Sequence, residues 1–172
     1  MKKIILLGYM GSGKSTIGKI LAEQLKLNFI DLDNEIEKKH QISISTLFET
    51  KGEIYFRKQE HLLLHEIIDT QDNFILSLGG GTPCYANNHL ALQREDISSF
   101  YLKGSIKTLA DRLEKEKEHR PLLNQNSDDT LEIFIAKHLF DRSYFYHQAK
   151  TIIAIDDKTP EQVTQDILNH LN

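Results

Sequence analysis

Apolar runs near residues 3–7, 28–31, 73–78, 97–102 and 151–155 read as strands. Between them apolar residues recur at helical spacing, as in Ile17, Ile20, Leu21 and Leu25. The spacing predicts helices over 14–26, 34–40, 52–70, 87–94, 105–117, 129–147 and 160–171. Strands alternating with helices predict an α/β fold, with a parallel sheet covered on both faces. Two stretches break the rhythm. Residues 34–70 carry two or three helices between the second and third strands, and residues 114–129 are polar, charge-rich and contain Pro121. There is no repeat, low-complexity tract or linker, so residues 1–172 are expected to form one domain with two inserted subregions.

The first strand runs into Gly8-Tyr-Met-Gly-Ser-Gly-Lys-Ser15, a complete P-loop. Its glycines let successive backbone N–H groups curl around the phosphates of a nucleoside triphosphate. Lys14 can reach the β- and γ-phosphates, and the Ser15 hydroxyl can sit on Mg²⁺. The following helix aims its positive end at the same place. Gly11, Ser12, Gly13, Lys14, Ser15 and Thr16 are therefore the candidate ATP contacts.

In a doubly wound sheet, ligands gather at the carboxyl ends of the strands. Gly8, Asp31, Gly79 and the 103–104 turn should share that rim. Asp31 and Asp33 end the second run, and in an extended segment residues spaced by two point the same way. Beside a P-loop, one can hold Mg²⁺ through water and the other can accept a proton from a substrate hydroxyl. The competing reading is helix capping, because Asp33 precedes a helix and Asn34 with Glu37 fits a capping box. Gly79-Gly80-Gly81 follows the third strand and permits close backbone approach to a ligand, or simply a loose turn. Arg57, Arg120 and Arg142 offer planar forks suited to carboxylate and phosphate, although taken singly each reads as a solvated surface charge. His61 and His65 lie four apart without a His-Glu-x-x-His pattern and read as a solvated face. Cys84 reads as an ordinary small residue.

Composition narrows the partners. Hydrophobic residues make up 40% of the 172 and charged residues 27%, as in an ordinary soluble globule. The net charge of -4, with no basic stripe, argues against nucleic acid. One cysteine allows no internal disulfide, and no apolar stretch is long enough to span a membrane. The strand at the start leaves no room for a signal peptide, so a cytoplasmic location is expected.

Taken in order, these segments resemble the shikimate kinase family. The P-loop with Met10-Gly11, Phe29-Ile30-Asp31-Leu32-Asp33 with Ile36-Glu37, and Gly52-Glu53-x-x-Phe56-Arg57-x-x-Glu60 carry the likeness. So do Leu78-Gly79-Gly80-Gly81-x-Pro83 and Arg120-Pro121-Leu122-Leu123. The resemblance implies ATP-dependent phosphorylation of the 3-hydroxyl of shikimate, on the way to chorismate and the aromatic amino acids. It implies a P-loop three-layer α/β/α fold of the nucleoside-monophosphate-kinase type, with a five-stranded parallel sheet. The 34–70 insertion would be substrate-binding and 114–129 a mobile lid that closes when ligands bind. Asp33, Arg57, Gly79, Gly80, Gly81 and Arg142 would hold shikimate. Lys14, Asp33 and Arg120 would be catalytic, Ser15 and Asp31 would serve Mg²⁺, and Arg112, Arg120 and Lys158 would contact the nucleotide. A monomer that takes only shikimate and ATP is expected. Two positions depart from the family's habit: Tyr144 stands where Pro is usual two residues after Arg142, and Lys158 occupies a variable place near the adenine. Two alternatives are a kinase of another acidic polyol, such as gluconate kinase, and a nucleotide-binding regulator without turnover.

Overall fold

The computed structural model describes residues 2–116 and 129–171. The strands are β1 (Lys2–Leu7), β2 (Asn28–Asp31), β3 (Asn73–Ser77), β4 (Ile97–Lys103) and β5 (Thr151–Ala154). They form one parallel sheet in the order β2-β3-β1-β4-β5. The helices are α1 (Lys14–Leu25), α2 (Leu32–His40), α3 (Ile44–Lys51), α4 (Glu53–Thr70), α5 (Ile106–Lys115), α6 (Leu131–Tyr146) and α7 (Pro160–Leu171).

The sheet is sandwiched, and β1 shows why its sequence is apolar without alternation. Ile5 and Leu7 face one core, with residues from α2 to α6. Ile4 and Leu6 face the other, with Ile17 and Leu21 of α1 and Val163 and Ile167 of α7. A strand covered on both faces needs apolar residues at every position. Each fully buried Leu or Ile contributes about 1.5–3 kcal/mol, so this central strand anchors both layers. No helix among the described residues is long and apolar enough to cross a membrane.

Register sets the rim. Leu6 pairs with Ser77, and Ser77 pairs with Asp31. The residues that leave β1 and β3, Gly8 and Leu78-Gly79, therefore emerge beside Asp31. On the far side the Ser105 N–H donates to Asp156 Oδ1 across 3.0 Å and ties the turn after β4 to the end of β5.

Three local features differ from the sequence-based expectation. Helix α2 begins at Leu32, and its N-cap is Asp31, whose Oδ1 accepts from the Asn34 N–H at 3.2 Å. Glu37 does not close a capping box; its Oε1 accepts from the Ile44 N–H that opens α3, at 2.9 Å. The expected 52–70 helix is preceded by a separate helix, α3, because Gly52 at φ 82° turns the chain between them. The stretch expected as a helix over 87–94 is a 3₁₀ segment, Asn88–Gln93, and a short 3₁₀ turn covers Thr82–Cys84.

Candidate active site

The P-loop wraps the N-terminus of α1. Gly13 takes φ 89° at the N-cap, a conformation that side chains rarely adopt, and no side chain caps the helix there. The first amides of α1 are thus open to an anion. Lys14 Nζ folds back over the loop and donates to Gly8 O at 2.8 Å and Tyr9 O at 3.1 Å. The Ser15 hydroxyl donates to Asp31 Oδ2 at 3.2 Å. Asp31 thus caps α2 with one oxygen and meets the P-loop serine with the other.

Asp33 lies in the first turn of α2, not in an extended strand end. The strand-to-helix junction still brings both carboxylates to the wall of one cavity of about 620 Å³. Burial pushes the Asp33 carboxyl up to about 6, and Asp31 and Glu60 add to the effect. Lys14 and Arg57 act the other way. A carboxylate poised near neutrality within reach of a phosphate loop is suited to receive a proton.

The triglycine turn is hemmed in by two guanidinium groups. A Cβ on Gly81 would lie 2.6 Å from Arg57 Nη2, and one on Gly80 would lie 3.1 Å from Arg142 Nη1. A side chain at Gly81 would push the tip of Arg57 aside, and one at Gly80 would crowd Arg142. Arg57, on α4, donates from Nη1 to Glu60 Oε1 at 2.8 Å and stacks 4.0 Å above the Tyr85 ring. Its Nε is buried and has no hydrogen-bond acceptor among the described residues. Arg57 also borders a second, more apolar hollow of about 500 Å³, with Ile54 and Tyr85. Arg142, on α6, lies beside Tyr146, whose hydroxyl donates to Gly80 O at 2.6 Å.

The other end of the large cavity is lined by Arg112, Glu116, Ile155, Lys158 and Pro160. Arg112 Nη1 donates to Gly11 O at 3.3 Å, and Lys158 Nζ donates to Asp166 Oδ2 at 2.7 Å. Gly11, Gly13, Lys14, Ser15, Thr16, Gly79 and Gly80 line the same cavity. Arg120 and almost all of the 114–129 insertion lie outside the described residues.

Sequence reasoning missed the residues that hold the arginines and the turn in place. Glu60 is 1% exposed, and its second oxygen accepts from Thr82 Oγ1 at 2.6 Å. Asn88 donates to Thr82 O at 3.0 Å and meets His61 Nδ1 at 2.6 Å. His61 therefore does not belong to a purely solvated face. Glu60 stands within the quoted Gly-Glu-x-x-Phe-Arg-x-x-Glu segment, and its spacing of three from Arg57 was the available signal. Asn88 carried none.

Comparison with known proteins decides the family. A sequence model of shikimate kinase matches residues 10–172. The shikimate kinase of Flavobacterium johnsoniae is 53% identical over 171 residues, covering 99% of both chains. The chain belongs to the shikimate kinase family. A shikimate kinase structure from Bacteroides thetaiotaomicron superposes with a TM-score of 0.90 at 36% identity, covering 99% of this chain and 98% of that one. Another, from Acinetobacter baumannii in complex with shikimate, gives 0.87 at 31% identity, with 99% and 93% covered. A gluconokinase from Sinorhizobium meliloti gives only 0.59 at 18% identity, a likeness of fold alone, over 99% of this chain and 91% of that one. The two shikimate kinase structures match this chain in fold from end to end.

Proposed function

We propose that the protein transfers the γ-phosphoryl group of ATP to the 3-hydroxyl of shikimate, giving shikimate 3-phosphate and ADP. The observation that carries this reading is the meeting of Lys14 and Asp33 in one cavity, beside a glycine turn flanked by two arginines. Shikimate has one carboxylate and three hydroxyls. Arg57, Arg142 and the turn's backbone answer the carboxylate, and Asp33 answers the hydroxyls.

The shikimate hydroxyl oxygen attacks the γ-phosphorus, the bond to the β-γ bridging oxygen breaks, and ADP leaves. Such transfer passes through a loose transition state, so the protein mainly positions the partners and offsets charge. Lys14 exchanges its carbonyl contacts for phosphate oxygens. Asp33 orients the hydroxyl and takes its proton late. Ser15 and Asp31 form a pair of hard oxygen donors 3.2 Å apart, which fits Mg²⁺. Asp31 would hold the ion through water, and bound there it would neutralise phosphate charge. Arg112 and Lys158 face the nucleotide at the purine end, and Arg120 is assigned to the phosphates on the sequence motif alone.

An ADP-release assay with shikimate, quinate, gluconate and adenosine monophosphate tests the assignment. Turnover with shikimate well above the other three is expected. Equal or greater turnover with gluconate would give the runner-up kinase, and ATP binding without turnover on any acceptor would give the regulator.

A further inference from the structure

Arg142 is not aimed by its own contacts alone. His138, Arg142 and Tyr146 are spaced by four on α6 and so share one face. Each meets the rim. Tyr146 donates to Gly80 O, Arg142 crowds Gly80, and the His138 Nδ1 lies 2.7 Å from the hydroxyl of Tyr9, the second residue of the P-loop. The Tyr9 ring is 1% exposed and lies beneath the Arg142 guanidinium at 5.6 Å. The Tyr9 carbonyl accepts from Lys14 Nζ. One residue thus touches the P-loop lysine through its backbone and α6 through its side chain.

We infer that the Tyr9–His138 pair positions Arg142 for the substrate carboxylate and ties the P-loop to α6. This inference rests on the shikimate reading above. Helix α6 runs unbroken from 131 to 146 through Tyr144. Proline at 144 would remove an N–H from that ladder and clash with the preceding turn. The unbroken helix carries Arg142 between two contacts, one turn to either side.

The chemistry of the pair suits a fixed contact. Burial pushes the Tyr9 phenol up to about 12, so it keeps its proton and donates. Burial and the nearby Arg142 guanidinium hold His138 below its ordinary value, while Asp141 acts the other way. A neutral imidazole protonated on Nε2 accepts at Nδ1. Phe134 packs on the His138 ring with centroids 4.4 Å apart and holds its plane.

The test is a double-mutant cycle on the full chain, read by steady-state kinetics and by calorimetric binding of shikimate and of ATP. Tyr9→Phe deletes one oxygen and keeps the ring. His138→Leu removes the acceptor, and His138→Asn keeps one near the Nδ1 position. Tyr9→Phe and His138→Leu are each expected to raise KM and Kd for shikimate about three- to tenfold, the range of one neutral hydrogen bond, with kcat and ATP affinity changed less. The double variant should be no worse than either single one, and His138→Asn should recover most of the loss. Unchanged shikimate affinity, additive losses, an equal loss for ATP, or no recovery in His138→Asn would each overturn the inference. A wild-type protein that does not phosphorylate shikimate would instead overturn the reading on which it rests.

Discussion

Arg57 and Glu60 stand one helical turn apart on α4, and the arginine Nη1 donates to the carboxylate Oε1 across 2.8 Å. The other oxygen of Glu60 takes the Thr82 hydroxyl. One buried carboxylate therefore fixes a guanidinium and the end of the triglycine turn together. Breaking a buried pair by removing one partner strands the other charge, at about 3–5 kcal/mol. Arg57 is 18% exposed and keeps some contact with water, so Glu60→Ala is expected to cost about 3 kcal/mol. A lowered urea midpoint with a raised KM for shikimate would record this. An unchanged midpoint would show that Glu60 carries no structural load.

Arg57→Ala should raise KM for shikimate about ten- to a hundredfold, the range of a charge-assisted pair with a carboxylate. KM for ATP should change little, because Arg57 meets the triglycine turn and not the P-loop. Arg57→Lys should recover only part, since an ammonium cannot donate in a planar fork. An unaltered KM for shikimate in Arg57→Ala would move the carboxylate anchor to Arg142.

Gly81 has an ordinary right-handed backbone, φ -91°. What a side chain there would meet is the tip of Arg57, with a would-be Cβ 2.6 Å from Nη2. Gly81→Ala should therefore leave the fold in place and displace Arg57, raising KM for shikimate more than it lowers the melting temperature. Thermal melting beside initial rates checks this. A variant with wild-type KM would mean that the guanidinium has room to retreat without loss.

Asp33 gives a pH signature of both activity and stability. In the folded protein its carboxyl holds a proton up to about 6, against about 4 in an unfolded chain. Folding therefore takes up a proton between those values, and stability falls as pH rises through that window. Above it the wild type bears the full cost of the buried charge, up to about 3 kcal/mol for two pKa units. Asp33→Asn removes that cost. It should melt a few degrees higher than the wild type at pH 8, with the gain shrinking toward pH 4, while losing most turnover and still binding ATP. Wild-type kcat/KM should fall as pH drops through about 6, as the proton acceptor fills. A variant no more stable than the wild type at pH 8 would mean that the carboxylate is compensated in the native state.

The layers of the fold were legible because each strand is a run of apolar residues flanked by helical spacing. The rim followed from the parallel order. The P-loop, Asp31 and the glycine turn come together there, as their positions at strand ends require, and Asp33 joins them from the first turn of α2. What the sequence concealed depends on contacts between distant elements. Asp33 and Asn34 both suit a cap on the sequence, and only the path of the chain after β2 makes Asp31 the acceptor instead. Glu60 is one position of the Gly-Glu-x-x-Phe-Arg-x-x-Glu segment, with no assigned partner until Thr82 arrives from the turn after β3. Tyr9 and His138 are 129 residues apart, and neither carries a local sign of the other. Gly52 reads as the first residue of a helix, whereas its positive φ makes it the joint between two.

The most direct measurement is the structure of the product formed from ATP and shikimate, followed by proton and phosphorus NMR. A single phosphate ester appearing on the 3-hydroxyl, in step with ADP and absent with Lys14→Met, is the predicted result. An ester on another hydroxyl, or release of inorganic phosphate with shikimate unchanged, would contradict the account.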